Sequence, residues 1–350
     1  LLAAISLLAM KYSKFKVFMT SKLFFKSTLL FFSLLIVSCG SSKKAIPQVK
    51  PSTDNVTLTS TSTDVTFKTG AENFESYLPL LKDKRVGIVT NQTGILSKEK
   101  HLVDFLIEQN INLQKIYAPE HGFRGTADAG ELIVDGKDTK TNLPIISLYG
   151  NNKKPKPEQL EGIDILVFDL QDVGARFYTY ISSLHYVMEA CAENNIPLLV
   201  LDRPNPNGTI IDGPILEKEH KSFVGMHEIP VLHGMTIGEY AKMINGEKWL
   251  KDSLQCDLKI APCLNYSRDM KYSLPVKPSP NLPNDQSINL YASLCFFEGT
   301  NVSLGRGTEK QFQIYGSPFL PESEFDYSFT PQPNFGAKDP VHNGKLCFGE

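Results

Sequence analysis

Five short apolar runs recur along the middle of this chain, with helical patterns between them. The runs lie at 85–90, 115–118, 144–148, 163–168 and 196–201. None alternates between apolar and polar residues, which is typical of strands covered on both faces in a parallel sheet. Leu102 and Leu106 recur at helical spacing after the first run, as do Ile181 and Leu184 before the fifth. This alternation predicts a doubly wound α/β domain over residues 73–222.

The pattern changes after residue 222. A helix is predicted over 236–244, a strand over 258–261 and a second helix over 287–297, with a proline-rich loop at 275–283. We therefore expect a second, smaller α+β domain over 223–350. With 350 residues, 41% of them hydrophobic, the chain can bury the cores of two packed domains. The sequence stops within a pattern, so we expect this second domain to be truncated.

The N-terminal segment has the features of an export signal. Several lysines and no acidic residue precede an apolar run at 27–38, and Cys39 follows directly after Ser38. That run is too short for a bilayer, which needs about 20 residues. We predict a signal peptide with a lipobox over 1–39, lipidation of Cys39, and a true start at Met10 or Met19. The alternative is a cytosolic protein with a buried N-terminal helix.

Residues 40–72 are rich in Ser and Thr and poor in large apolar side chains, which predicts a flexible tether. The expected location is the cell envelope, facing the periplasm or on the outer membrane, with the lipid as the only membrane contact. A formal net charge of −2 argues against a nucleic-acid partner. The five remaining cysteines form neither a disulfide framework nor a zinc motif: Cys191, Cys256, Cys263, Cys295 and Cys347.

Polar residues follow each predicted strand of the first domain. They include Asn91 and Gln92, Glu120 and His121, Tyr149, Asp169 with Gln171 and Asp172, and Asp202 with Arg203 and Asn205. The carboxyl ends of parallel strands meet at one edge of the sheet, where open α/β sheets bind ligands. Helix capping is the simpler explanation for an Asn or Asp. It does not account for Glu120, Gln171 or Arg203.

Several common chemistries lack their motifs. The three-glycine turn of dinucleotide sites, the phosphate-binding loop and the G-x-S-x-G nucleophile elbow are absent from the sequence. The His and carboxylate spacings match no standard metal motif, so we expect no metal and no cofactor. What remains is a set of carboxylates and arginines: Glu120, Asp169, Asp172, Glu298 and Glu309, with Arg124, Arg176, Arg203 and Arg306. Paired carboxyls are typical of glycoside hydrolysis, and arginine forks bind acidic substrates.

Five motifs in order resemble a known family. They are Thr90-Asn91-Gln92-Thr93-Gly94, Pro119-Glu120-His121-Gly122-Phe123-Arg124-Gly125, the segment from Asp169 to Tyr180, Asp202-Arg203-Pro204-Asn205-Pro206, and Glu298-Gly299-Thr300-Asn301 with Gly305-Arg306-Gly307-Thr308-Glu309. Together they are similar to the bacterial exo-β-N-acetylmuramidases, formerly a domain of unknown function. The resemblance implies a Rossmann-like catalytic half, a smaller C-terminal half and a cleft between them. It also implies release of non-reducing terminal N-acetylmuramic acid from peptidoglycan fragments during cell-wall recycling.

The resemblance implies roles for individual residues. Glu120 is expected to be the catalytic acid, while Asp169, Asp172, Tyr178 and the substrate's own acetamido group remain open as the second group. The expected substrate-binding residues are Asn91, Gln92, His121, Arg124, Gln171, Arg176, Arg203, Asn205, Asn301, Arg306 and Glu309. Arg306 and Arg176 are the first choices for binding the lactyl carboxylate of muramic acid. Two other hypotheses stay open: a non-catalytic muropeptide-binding lipoprotein and a metal hydrolase.

Overall fold

The computed structural model describes residues 66–97, 100–124 and 135–350. The predicted signal peptide, the lipidation site Cys39 and most of the predicted tether lie outside these residues. No helix within the described part of the chain is long and apolar enough to cross a membrane.

The end of the predicted tether is packed against the domain. Lys68 and Leu264 exchange two backbone hydrogen bonds of 3.1 and 2.8 Å, and the Gly70 N–H donates to the Asp202 carbonyl at 2.7 Å. The Phe67 ring also contacts Tyr272, with ring centroids 5.4 Å apart. The prediction of a flexible tether up to residue 72 was therefore wrong at its C-terminal end, because these bonds fix residues 66–72.

Twelve strands are present in the described residues: β1 (Arg85–Thr90), β2 (Asn112–Ala118), β3 (Gly136–Lys137), β4 (Pro144–Ser147), β5 (Ile165–Asp169), β6 (Leu198–Leu201), β7 (Ile211–Asp212), β8 (Leu232–His233), β9 (Leu258–Ala261), β10 (Gly316–Ser317), β11 (Tyr327–Phe329) and β12 (Cys347–Gly349). Seven of them form one sheet in the order β3-β4-β2-β1-β5-β6-β9. All neighbours in this sheet are parallel except β3 and β4. All five strands predicted for the first domain are confirmed.

Six α-helices are present in the same residues: α1 (Phe74–Leu81), α2 (Leu102–Glu108), α3 (Pro157–Leu160), α4 (Tyr180–Glu193), α5 (Ile237–Gly246) and α6 (Asp285–Leu294). Capping explains where α5 begins. The Thr236 hydroxyl accepts from the Glu239 N–H at 3.2 Å, and the Glu239 carboxylate accepts from the Thr236 N–H at 3.0 Å. This reciprocal pair satisfies two backbone donors that the first turn leaves open.

Helices cover both faces of the large sheet. Along β5, Ile165 and Val167 join the core cluster that contains side chains of α1 and α2. Leu166 and Phe168 point to the other face, into the cluster that contains side chains of α4 and α5. Because successive side chains of a strand point to opposite faces, an apolar run such as β5 serves two cores. The doubly wound α/β class is confirmed.

The large sheet extends beyond residue 222, where we placed the end of the first domain. Strand β9 pairs in parallel with β6, with Leu198 opposite Leu258 and Leu201 opposite Ala261. The placement of 258–261 in the second domain was therefore wrong. Helix α5 lies between β6 and β9 in the chain and returns it to the sheet edge, as crossover connections do. The smaller C-terminal part has its own antiparallel sheet in the order β10-β12-β11.

Candidate active site

A cavity of about 590 Å³, counted with its open mouth, has Glu120 in its lining, and we call it the Glu120 cavity. Its described lining residues come from six parts of the chain: Glu120 and His121; 177–180; Val224; Ser279, Asn281 and Leu282; Tyr291 and Glu298; and Arg306 with Phe312. Glu120 follows β2 and residues 177–180 follow β5, so the cavity lies at the predicted carboxyl edge of the sheet.

Two hydroxyl groups hold the Glu120 carboxylate. The Tyr149 hydroxyl donates to Oε1 at 3.0 Å, and the Thr179 hydroxyl donates to Oε2 at 3.0 Å. Tyr149 follows β4, and Thr179 is the residue before the first turn of α4. Each carboxylate oxygen therefore has a partner on a different segment, which restricts how the side chain can rotate.

The backbone after Glu120 turns sharply. His121 has a φ of 71° and Gly122 a φ of 74°, and both values lie in the left-handed region that most residues avoid. His121 is nevertheless buried and lines the cavity beside Glu120. The turn therefore ends the extended path of β2 where the Glu120 side chain enters the cavity.

A second carboxylate and an arginine lie at the mouth of the cavity. The Arg306 guanidinium lies 3.7 Å from Glu298 Oε1, and it also donates to the Gly336 carbonyl at 3.3 Å. Both glycines beside Arg306 have positive φ, and a Cβ at Gly305 would come within 2.4 Å of the Lys310 carbonyl oxygen. The loop is thus tightly packed around Arg306, while its side chain stays partly exposed.

Tyrosine rings form another part of the lining. The Tyr178 hydroxyl donates to the Pro278 carbonyl at 2.8 Å, and the Asn91 amide donates to the Tyr180 hydroxyl at 2.6 Å. Burial raises the pKa of Tyr178, Tyr180 and Tyr291, and the charge of Glu120 adds to the rise for Tyr180 and Tyr291. These phenols therefore stay protonated and can donate hydrogen bonds.

Asp169 and Arg203 are not among the described residues that line the cavity. They form a fully buried ion pair instead, in which Asp169 Oδ1 accepts from Arg203 Nε at 2.6 Å and Oδ2 accepts from a terminal nitrogen at 3.0 Å. The side chains are 0% and 2% exposed. Burial alone would lower the pKa of Arg203, but the attraction and hydrogen bonds of Asp169 keep it above its usual value. Each side chain is thus engaged by the other outside the described lining, which favours a structural role for the pair.

Arg176, the other arginine favoured for the lactyl group, is also used internally. Its guanidinium donates to the carbonyls of Pro214, at 2.7 Å, and Ile229. Arg124 pairs with the buried Asp138. Neither arginine belongs to the described lining of the cavity. Of the four arginines considered from the sequence, Arg306 alone lies in that lining.

Five polar residues predicted from strand ends have side chains that bind the chain itself: Asn91, Gln92, Gln171, Asp172 and Asn205. Gln171 is an example, since its amide donates to the carbonyls of Asp172 at 2.8 Å and Pro204 at 2.6 Å. Asn301 and Glu309 are exposed. None of these seven side chains is in the described lining, so the geometry does not favour direct substrate contact for them.

Sequence reasoning missed several residues of the site. Tyr149 follows a predicted strand and Thr179 lies within a quoted motif, so both had a signal that we did not use. Ser279 and Asn281 come from the proline-rich loop, where no local pattern distinguishes them. Within the described residues, the one group of three possible metal ligands is Glu217, Glu219 and His220, which is exposed and separate from the cavity lining.

Comparisons with known proteins agree on one family. Residues 86–286 match the family model "Exo-beta-N-acetylmuramidase NamZ, N-terminal", and residues 289–350 match the corresponding C-terminal model. The chain is 46% identical over 288 residues to the peptidoglycan beta-N-acetylmuramidase NamZ of Bacillus subtilis (strain 168), which covers 78% of this chain and 69% of that protein.

Two crystal structures of DUF1343 family proteins from Bacteroides fragilis NCTC 9343 are also similar. One is 49% identical with a TM-score of 0.74, and the other is 34% identical with a TM-score of 0.71. Each comparison covers 81% of this chain and 76% of the crystallised one. With matches to both family models along most of its length, the chain belongs to the exo-beta-N-acetylmuramidase NamZ family.

Proposed function

We propose that this protein is a glycoside hydrolase that releases terminal N-acetylmuramic acid from the non-reducing ends of peptidoglycan fragments. The observation that carries the proposal is the Glu120 carboxylate, oriented by two hydroxyl groups in a cavity at the carboxyl edge of the sheet. Membership of the exo-beta-N-acetylmuramidase family supports a catalytic role over simple muropeptide binding.

Glu120 acts as the general acid in this proposal. It delivers a proton to the glycosidic oxygen as the bond to the anomeric carbon breaks, so that the departing sugar leaves as an alcohol. Water supplies the hydroxyl group that the anomeric carbon takes up and the proton that restores Glu120. The fixed orientation contributes because proton transfer requires the carboxyl group within hydrogen-bond distance of that oxygen. Glu298 is the other carboxylate in the described lining. Glu298 and the substrate's own acetamido group are the candidates for the second catalytic group, which assists at the anomeric carbon.

Arg306 gives the cavity a cation for an acidic sugar. It lies in the lining beside Glu298 and is partly exposed. A guanidinium can bind a carboxylate through two parallel hydrogen bonds. We therefore assign binding of the lactyl carboxylate of muramic acid to Arg306.

Glu120→Gln tests the catalytic assignment. The amide keeps the size of the side chain but cannot deliver a proton, so turnover of a disaccharide substrate should fall by about 10²–10⁴. A nitrophenyl muramide should lose less, because its leaving group needs little protonation. Glu75→Gln is the matched control on an exposed glutamate outside the lining. Near-normal disaccharide turnover by Glu120→Gln would refute the assignment, and a chelator should leave activity unchanged.

The cellular location is a separate part of the proposal. The basic start, the short apolar run and Cys39 support export, lipidation of Cys39 and attachment to the cell envelope on the periplasmic side. Mass spectrometry of the protein from a membrane fraction should find a lipid on Cys39, and Cys39→Ser should move the protein to the soluble fraction. An unmodified Cys39 in the exported protein would contradict this part without affecting the glycosidase assignment.

A further inference from the structure

The mouth of the Glu120 cavity carries an exposed apolar side chain. Val224 is in the lining and is 55% exposed, whereas lining residues such as Leu282 and Phe312 are almost fully buried. The exposed liners therefore mark the mouth, and the buried ones form the interior.

A fixed turn displays Val224. Ser222 and Gly225 exchange two backbone hydrogen bonds, of 3.0 and 3.1 Å, around the two residues between them. One of these, Phe223, stacks on Tyr186 with an interplanar angle of 15° and ring centroids 6.1 Å apart. Because Phe223 anchors the turn to the domain, the other residue, Val224, is held out at the mouth.

Aromatic rings extend the apolar surface from the lining. Phe177 lines the cavity, and the Phe296 ring meets it edge to face, with centroids 5.4 Å apart. Phe296 is 56% exposed. Its neighbour Phe297 stacks on Tyr315 with an interplanar angle of 3°, which anchors the short turn that carries Phe296. Two separately anchored turns thus carry an exposed apolar side chain each, Val224 in the lining and Phe296 against the lining residue Phe177.

Exposed apolar side chains at the mouth of a cavity indicate a ligand, since apolar surface at a cleft is typical of binding sites. A pyranose ring has an apolar face of C–H groups that packs well against an aromatic ring or a branched aliphatic side chain. In an enzyme that removes a terminal sugar, that sugar occupies the interior, and the rest of the glycan must leave through the mouth. Val224 lies at that mouth, and Phe296 extends the apolar surface from the lining residue Phe177.

We propose that Phe177, Val224 and Phe296 form a subsite for the sugar on the leaving-group side of the cleaved bond. The inference rests on the proposed function and adds the class of ligand that the mouth binds, an N-acetylhexosamine pyranose within a glycan. The subsite holds this sugar by its apolar face while Glu120 protonates its glycosidic oxygen. The subsite accounts for recognition of the glycan without a further charged group.

Phe296→Ala and Val224→Ser test the subsite against two substrates with alkyl alcohol leaving groups. One is methyl N-acetylmuramide, which lacks a leaving-group sugar, and the other is N-acetylmuramic acid linked to N-acetylglucosamine. Each variant should lower kcat/KM for the disaccharide by roughly five- to tenfold, mainly through KM, and leave the methyl glycoside unchanged. Phe319→Ala is the matched control, because Phe319 is 73% exposed and is not a described lining residue.

Equal effects on both substrates, or no effect on either, would overturn the subsite. The other possible occupant of the subsite is a peptide, which a disaccharide that carries a peptide on its lactyl group tests. If the variants reduce only the preference for that peptide, the surface binds peptide and the sugar assignment is wrong. If the wild-type protein hydrolyses neither substrate, the proposed function itself fails, which is a different result from an unchanged ratio between the two.

Discussion

The buried pair of Asp169 and Arg203 gives the sharpest stability prediction. Both side chains are excluded from solvent, and two hydrogen bonds of 2.6 and 3.0 Å join them in a fork. Replacing one partner leaves an uncompensated charge in the interior, which costs about 3–5 kcal/mol. Asp169→Asn and Arg203→Met should each lower the free energy of unfolding by that amount. This is a large fraction of the 5–15 kcal/mol typical of a folded protein.

Urea unfolding of soluble protein that begins near Phe67 measures the loss as a change in midpoint at constant slope. The double variant Asp169→Leu, Arg203→Met removes both charges, so it should be more stable than either single variant. Arg85→Ala is the matched control, because Arg85 makes the same forked contact with Asp164, at 2.7 and 3.1 Å, on the exposed surface. Its effect on unfolding should be much smaller.

The result that would refute this reasoning is a catalytic one. If Asp169 were the second catalytic group, Asp169→Asn would unfold at nearly the wild-type urea concentration and lose turnover by about 10²–10⁴. A structural role instead predicts reduced stability together with near-normal turnover by the fraction that remains folded.

Three further predictions follow from the site and the core. Arg306→Ala should weaken the preference for a muramic acid glycoside over an N-acetylglucosamine glycoside by about ten- to a hundredfold, measured as a ratio of kcat/KM values. Arg176→Ala should unfold more easily and keep that ratio. Tyr149→Phe and Thr179→Val should each lower kcat by about tenfold or more with little change in KM, because they remove a hydrogen bond to Glu120, and Thr179→Ser should restore the rate. Burial lowers the pKa of His227 from 6.5 to about 3, and nearby His185 adds to the effect. Between pH 6.5 and 3 the imidazole of His227 is therefore protonated in the unfolded chain but neutral in the folded protein, so the free energy of unfolding should fall as the pH falls through this range. Urea unfolding measured at several pH values in this range should show a smaller pH dependence for His227→Gln.

The sequence was sufficient for the strands of the large sheet because each buried strand carries its own signal. An uninterrupted apolar run such as 165–168 is unfavourable in most other settings, so it predicts β5 almost by itself. The last strand of the sheet, β9, shows that local sequence can predict a strand without predicting its partner. The run at 258–261 reads equally well as a strand of either domain, and only pairing with β6 decides between them.

The polar sheet edge also shows what local sequence can and cannot determine. It correctly indicated where the cavity would be, since the chain order of strands and helices fixes which strand ends meet. It could not determine which polar side chains reach the cavity. Glu120 enters it because His121 and Gly122 turn the backbone, whereas Arg176 meets carbonyls of Pro214 and Ile229, 38 and 53 residues away.

Burial separates the charged residues at this edge into two physical classes. A charge with almost no exposure, such as Arg203, must be neutralised by the chain, because an unpaired ion in the interior is too costly. A residue satisfied in this way has little capacity left for a substrate. Glu298 and Arg306 keep part of their surface in water, so a ligand can replace that solvent at modest cost. Partial exposure at the carboxyl edge of the sheet, more than the type of charged residue, therefore indicates which side chains are available for binding and chemistry.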